Sequence, residues 1–495
     1  MLKVNKLLSL REELKANVMK KEYDQAANQA EEMENLLAAG TEAAEEELFL
    51  SFSALAKLYS RTRNYDKAAD FSRQALRLAK SLGEDQMEAV IDAHLEYAAL
   101  EREYQQFAEA RRQLANLLQL LEKRKFNDDF AHGMIYSSLG KVSLDEENLD
   151  GASRQLKQAL DFFGKAVPMT HPASAQTADM LSDVYIQMEN HQKALELNKE
   201  ILKEHQQAEN RQAEGRTLLK IGEIYFYIDL KQAHKTIRQA MKLLTDIHGD
   251  KHLDIAQGNL MLGELDENMG KYPRSLKYYQ RALESLETFY TKDHFMIAYA
   301  YSKVGTLSIK AGEMLKAKEH LEKGLELTEK FPKLRLQFLH ALGEIYSNEK
   351  RYEDADRMYR EFLDILDKDG RKKSQGYADT LQVIAFNELD QEKWEDAVRH
   401  YEEALEIYEQ LKPIPPQEAG LTCMRLGHSY ENKPGPSPEK AETYYERGYK
   451  LLEKTKNRDI LQEAVTGLIE FYSRHPNEKK RKKYEDKFVK LQKTE

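Results

Sequence analysis

The strongest constraint on this chain is a small residue that recurs at a nearly constant interval. Seven of the ten intervals between these residues are 42, and the others are 39, 38 and 44. The positions are Ala26, Ala68, Ala110, Ala152, Ala194, Ala233, Ser275, Ala317, Ala355, Ala397 and Ala441. A period of about 20 to 50 residues is typical of a stacked repeat array, in which each unit buries its apolar face against its neighbours. The spacing therefore predicts a solenoid.

Residues 262–282 show what one repeat contains. Apolar residues lie at helical intervals on both sides of Gly270, which marks a turn. The recurring positions are Leu262, Gly263, Tyr272, Ser275, Tyr279 and Ala282. This pattern predicts a helix A, a tight turn and a helix B, with small residues where the two helix axes approach closely. Equivalent positions elsewhere are Gly140, Ala152, Gly305, Gly343, Ala355 and Ala397.

The order L-G-x2-Y followed by A-x3-F resembles the tetratricopeptide repeat. The resemblance implies an all-α, right-handed superhelical solenoid of about eleven antiparallel helix pairs, followed by a C-terminal capping pair. We expect a degenerate repeat or capping pair in residues 1–45, about ten repeats in residues 46–455, and capping helices with a basic stretch in residues 456–495. The fold implied is specific, whereas the function is not.

The long period resembles the kinesin light chain branch of this family, since the ordinary repeat has about 34 residues. The connectors Thr170-His171-Pro172, Gly249-Asp250-Lys251-His252 and Lys292-Asp293-His294 resemble the D-H-P step of that branch. Two features differ: residues 1–45 hold too few heptads for a coiled coil, and only Asn259 lies where that branch carries paired asparagines. The resemblance implies a cytoskeletal or motor-linked role.

Composition narrows the class of protein. The net charge of -10 disfavours general binding of nucleic acid. The single cysteine, Cys423, excludes an internal disulfide and fits a reducing compartment. No run approaches the roughly 18 apolar residues needed to span a membrane, and the N-terminus lacks the pattern of a secretory signal. We therefore expect a cytoplasmic protein that does not bind membranes.

No catalytic or metal-binding constellation is evident, so the sequence predicts a non-enzymatic protein without cofactor or metal. His248 and His252 could suggest a metal pair, but Gly249 and Asp250 between them favour a surface loop. The residues 367–370 resemble only a fragment of a calcium loop. Cys423 and Trp394 occupy helical positions that predict core packing.

Helix A lines the concave face in the resembled family, and the residue two places after its leucine points into that groove. In this chain the row is Lys57, Ala99, Lys141, Asp183, Glu223, Glu264, Thr306, Glu344, Phe386 and His428. The row begins basic and becomes acidic; Asp179 and Glu267 extend the acidic part, and Arg216 interrupts it. We expect the middle of the groove to bind a basic segment of another protein, although a solvated acidic face would give the same row.

The leading interpretation is a scaffold or adaptor that holds a protein or peptide ligand in its groove. A regulator whose superhelix changes shape on binding is the first alternative, and an RNA-binding repeat is the second. No unit carries the Lys-Asn pair of the chaperone-binding members, which disfavours that role. The basic run Lys479–Lys483 fits either a nuclear localisation signal or a solvated terminal helix. Self-association is compatible with the sequence.

Overall fold

The computed structural model describes residues 2–291, 294–455 and 457–493. Lys292 and Asp293 of the third connector lie outside these residues, as do residues 456, 494 and 495 of the expected C-terminal cap. Within the described ranges the chain forms 24 α-helices, one short 3-10 turn at Glu84–Gln86 and no strand. The helices alternate as A and B in twelve pairs, so the predicted all-α solenoid of about eleven pairs plus a capping pair is confirmed.

The chain divides into two compact units, Met1–Gly249 and Asp250–Glu495. The 42-residue spacing gives no sign of this division, because it continues from Ala233 to Ser275. Unit 1 has A helices α1 (Leu2–Lys20), α3 (Glu45–Arg61), α5 (Met87–Glu103), α7 (Asp129–Asp145), α9 (Pro172–Gln187) and α11 (Arg211–Ile228). Its B helices are α2 (Tyr23–Ala38), α4 (Tyr65–Leu78), α6 (Phe107–Arg124), α8 (Leu149–Ala166), α10 (His191–Gln207) and α12 (Leu230–His248).

Unit 2 repeats the same arrangement. Its A helices are α13 (Leu253–Asn268), α15 (Phe295–Lys310), α17 (Pro332–Asn348), α19 (Gln375–Asp390), α21 (Pro416–Asn432) and α23 (Arg458–Arg474). Its B helices are α14 (Tyr272–Phe289), α16 (Met314–Glu326), α18 (Tyr352–Lys368), α20 (Trp394–Gln410), α22 (Pro438–Leu452) and α24 (Glu478–Lys493). Successive A helices touch one another directly at α1/α3, α3/α5 and α5/α7 in unit 1, and at α15/α17 and α19/α21 in unit 2.

The recurring small residue is the fourth residue of a B helix in all eleven cases, and each of the eleven is 0% exposed. A second close approach comes from glycines of the A helices. A Cβ on Gly263 would lie 2.9 Å from the ring of Tyr279, and one on Gly343 would lie 2.6 Å from the ring of Tyr359. The two helices of a pair therefore pack at a distance that only small side chains allow.

Helix ends follow from local chemistry. Most A helices end in a Schellman turn, as at Asn64, whose N–H donates to the Tyr59 carbonyl at 2.8 Å. Arg63 takes the left-handed conformation there, with φ of 60°. The connector histidines cap the next A helix: Nδ1 of His171, His252 and His294 each accepts a hydrogen bond from the N–H two residues later, at 3.3, 3.2 and 3.2 Å. The D-H-P step is thus a helix start signal in this chain.

None of the helices in the described ranges is long and apolar enough to cross a membrane.

Candidate functional site

The predicted groove row lies on the A helices, and none of its side chains is buried. Lys57 shows the local reason: it is exposed between Leu55 and Leu58, which are 0% and 1% exposed and face helix B. We call the surface formed by this row and its neighbours on the A helices the A-face. Six of the row are exposed besides Lys57: Ala99, Asp183, Glu264, Glu344, Phe386 and His428; Lys141, Glu223 and Thr306 are half-buried.

In unit 1, ion pairs between neighbouring A helices cross the A-face. The Nζ of Lys57 lies 2.6 Å from a carboxylate oxygen of Glu96 on α5. Lys220 on α11 pairs with Asp183 on α9 and, at 3.0 Å, with Glu223 of its own helix. The row therefore does not begin as a free basic patch, because an acid on the next A helix neutralises Lys57.

In unit 2, the A-face is also internally paired. Glu267 lies 3.1 Å from Nζ of Lys303 and 3.7 Å from Nζ of Lys310. The guanidinium of Arg425 on α21 lies 5.1 Å from the centroid of the Phe386 ring on α19, a cation–π contact. The expected acidic residues are thus divided: Asp179, Asp183 and Glu223 lie in unit 1, while Glu264, Glu267 and Glu344 lie in unit 2.

A second position on the A helices, outside the groove row, is shared by Glu96, Lys220, Lys303 and Arg425. Each directly precedes the leucine or its equivalent on helix A, so it lies one turn away from the row and faces the preceding A helix. Glu96 is opposite in charge to Lys57 of the preceding repeat, and Lys220 to Asp183, so comparing this position between repeats could have found these two pairs.

Several A-face side chains are in contact with solvent and yet surrounded by protein. Desolvation raises the pKa of the Asp92, Asp179 and Asp379 carboxyls. Desolvation, followed by the charge of Arg102, lowers the pKa of Lys141. A concave surface produces this combination, because it admits water while protein atoms crowd the charged group from several sides. Such a surface is suited to holding a ligand.

A cleft of about 480 Å³ opens on the A-face of unit 2 between α15, α17 and α19. Met314 and Phe386 line it and are 41% and 45% exposed. The Tyr359 hydroxyl also lines it, is buried, and has no hydrogen-bond partner among the described residues. In contrast, the equivalent Tyr445 donates to Glu431 at 3.0 Å. The cleft thus combines apolar contact area with polar lining residues such as Asn387 and Asp390.

The other candidate residues have structural surroundings. Burial raises the pKa of the Cys423 thiol to about 12, which leaves it protonated. Trp394 is half-buried, with its ring 6.1 Å from that of His428 on α21. In the basic run, Lys480 is bound by Glu442 at 2.8 Å and Glu446 at 3.1 Å, which docks α24 on α22. Part of that run therefore belongs to the packing of the last helix.

Comparisons with known proteins agree with this architecture. One sequence model of the tetratricopeptide repeat matches residues 254–330 and 334–410, and another matches residues 51–86. No curated protein sequence matches the chain.

Among solved structures, the apo form of RapI is 12% identical, covers 74% of this chain and 98% of its own, and has a TM-score of 0.50. BtubC (BKLC) from P. vanneervenii is 18% identical and covers 46% of this chain and 92% of its own, with a TM-score of 0.42. A third structure contains TPR-like repeats, nearly identical to one another, of a putative kinesin light chain from Podosopora anserina. It is 13% identical to this chain and covers 40% of this chain and 95% of its own, with a TM-score of 0.34. At such identities, structural likeness shows the fold alone.

Proposed function

Since this chain carries tetratricopeptide repeats in the fold of that superfamily, we propose that it is a non-catalytic scaffold or adaptor that holds a segment of another protein on its A-face. Arrays of this fold serve protein interaction and are generally non-catalytic. The observation that carries the proposal is a set of solvent-accessible charged side chains on the A-face whose pKa values are shifted by desolvation: Asp92, Lys141 and Asp179 on the successive A helices α5, α7 and α9. A surface of that kind gives a ligand both access and strong electrostatic contacts.

A basic segment is the ligand that the charges of unit 1 favour. Asp179, Asp183 and Glu223 lie on the A-face there, and Lys220 pairs with only two of them. Arg216 of α11 interrupts this acidic part, so three carboxylates lie with two cations and one negative charge remains in excess. The same excess disfavours RNA on this face. We further propose that the protein is cytoplasmic. The resemblance to kinesin light chain repeats suggests that its partner is cytoskeletal or linked to a motor protein.

The direct test is selection of short random peptides by the full-length protein, followed by affinity measurements at low and high salt. We expect the selected peptides to be rich in lysine and arginine and to bind more weakly as salt is added. The double variant Asp179→Asn/Glu223→Gln should weaken binding several-fold. The matched control, Glu200→Gln/Asp246→Asn, removes the same charge from exposed positions of B helices and should not. Peptides without any basic bias, or equal losses in both variants, would remove the case for a basic ligand.

The ion pairs between A helices favour one alternative, a regulator that responds to its ligand. A basic peptide that binds Asp183 competes with Lys220, and an interhelical pair that loosens lets neighbouring repeats shift. Small-angle scattering of the protein with and without the selected peptide distinguishes a regulator that changes shape from a passive scaffold. An unchanged scattering profile favours a passive scaffold.

A further inference from the structure

The N-terminal end of unit 1 contains a second, largely apolar cleft on the A-face. It has a volume of about 300 Å³ and lies between α1, α3 and α5. Eight of its thirteen lining residues are apolar: Leu14, Val18, Met19, Phe49, Leu50, Ala54, Ala89 and Ala93. Met19 extends over its rim and is 86% exposed. We call this the N-terminal cleft. An exposed methionine beside small and branched aliphatic residues provides a surface that adapts to apolar side chains of a partner.

One wall of the N-terminal cleft is acidic. Asp92 and Glu96 of α5 line the cleft, and Glu88, four residues before Asp92, continues the same stripe along α5 just beyond the lining; all three are exposed. Lys57 is paired with Glu96. Desolvation, then the charge of Glu96, raises the pKa of Asp92 despite the opposing effect of Lys57, with Glu88 adding to the rise. Three carboxylates therefore face one ammonium group, and a cation from outside would relieve the repulsion between them.

The floor of the cleft carries an unused polar group as well. The hydroxyl oxygen of Ser53 is buried there and makes no hydrogen bond to any described residue. A buried hydroxyl without a partner costs folding free energy, and a ligand group that reaches it removes that cost. Lys15 also lines the cleft, and its Nζ lies 3.1 Å from a carboxylate oxygen of Glu12.

We propose that the N-terminal cleft docks an amphipathic segment of a partner protein, which inserts apolar side chains between α1, α3 and α5 and sets lysine or arginine side chains against Glu88 and Asp92. Charge complementarity selects this occupant, because an apolar segment without basic residues leaves the carboxylates desolvated and unpaired. A helical segment with basic residues four positions apart matches the spacing of the acidic stripe. The docking site is part of the binding function proposed above and presupposes it.

The test uses the full-length chain and a fluorescein-labelled helical peptide of leucine and lysine, with the lysines at every fourth position along one side of an apolar face. A peptide with glutamate in place of lysine is the charge control. We expect the lysine peptide to bind at least about tenfold more tightly than the glutamate peptide, as measured by fluorescence anisotropy, with affinity falling as salt is added.

Paired variants locate the site. Glu88→Gln/Asp92→Asn should weaken binding of the lysine peptide about three- to tenfold. Glu122→Gln/Asp161→Asn removes the same charge from the B helices α6 and α8 and should change affinity by less than about twofold. Circular dichroism verifies that both variants are folded. The methyl resonance of Met19, assigned by Met19→Leu, should shift when the lysine peptide is added, whereas that of Met424 in unit 2 should not.

The outcomes separate two failures. If the lysine peptide binds but both double variants weaken it equally, or if the Met19 methyl does not shift at saturation, the N-terminal cleft is not the site, and the wider binding function stands. If the glutamate peptide binds as well as the lysine peptide, the assignment of a basic occupant is wrong. If neither these peptides nor any selected from random sequences bind, the proposed function fails together with the cleft.

Discussion

The Nζ of Lys57 lies 2.6 Å from a carboxylate oxygen of Glu96, and this ion pair joins α3 to α5 across the A-face. Lys57 is the first basic residue of the groove row, and it pairs with one residue of the acidic stripe of the N-terminal cleft. An ion pair at such an exposed site contributes little to stability. Its main effect is therefore on the charge that a ligand encounters.

Replacement of Lys57 by methionine should strengthen binding of the lysine peptide about two- to fivefold, because Glu96 is released to join Glu88 and Asp92. The matched control is Lys157→Met, which removes an exposed cation from helix α8. Both are measured by anisotropy at low salt, and the difference should disappear at high salt. Weaker binding in Lys57→Met would mean that Lys57 itself contacts the ligand.

Replacement of glycine by alanine should have opposite effects on stability at Gly448, which contacts Gly420, and at Gly164. A Cβ on Gly448 in α22 would lie 2.9 Å from the backbone carbonyl oxygen of Gly420 in α21, which cannot move aside without shifting its helix. We expect Gly448→Ala to destabilise unit 2 by about 1–3 kcal/mol, despite the better helix propensity of alanine.

Apart from its chain neighbours and the backbone of its own helix, no described residue has an atom within 4 Å of a Cβ added to Gly164 in α8. Gly164→Ala should therefore stabilise the protein by about 0.5–1 kcal/mol. Calorimetry should show a lower midpoint for Gly448→Ala and a higher one for Gly164→Ala. A Gly448→Ala protein as stable as wild type would mean that α21 and α22 separate easily.

His94 in α5 predicts that low pH destabilises unit 1. Burial lowers its pKa to about 4, opposed by the side chain of Gln113, while the unfolded chain keeps the ordinary value near 6.5. The folded state favours the neutral form of His94. The contribution of His94 to the stability of the fold is therefore present above about pH 6.5 and is lost as the pH falls to about 4. The shift corresponds to roughly 3 kcal/mol.

The measurement is the thermal midpoint of wild type and His94→Leu at several pH values between these limits. The midpoint of wild type should fall more steeply with decreasing pH than that of His94→Leu. Parallel curves for the two proteins would show that the native state protonates His94 without loss.

Cys423 offers a specific probe of unit 2, because it is the only cysteine of the chain. It is 0% exposed, and burial raises its pKa to about 12. We expect no reaction with a thiol reagent such as DTNB in the native protein at pH 8, and reaction of one thiol per chain in denaturant. Rapid labelling of the native protein would contradict the burial of this part of α21.

The recurring small residue allowed the fold to be predicted from the sequence. A position that recurs every 42 residues must have the same surroundings in each repeat, and all eleven are fully buried on the B helices. The glycines at Gly140, Gly263, Gly305 and Gly343 are explained in the same way, since each faces a large side chain of helix B too closely for a Cβ. Packing within a pair depends on residues close in sequence, and this made it predictable.

The tertiary structure alone decided which charges remain available to a ligand. The sequence gives Lys57 as the start of a basic row, whereas Glu96 neutralises it and Asp92 makes that end of the A-face acidic. These partners come from the next repeat, and their approach depends on how one helix pair stacks on another. The periodicity specifies that repeats stack, but the neighbours of each side chain follow from the angle and distance between repeats, which the spacing of residues does not encode.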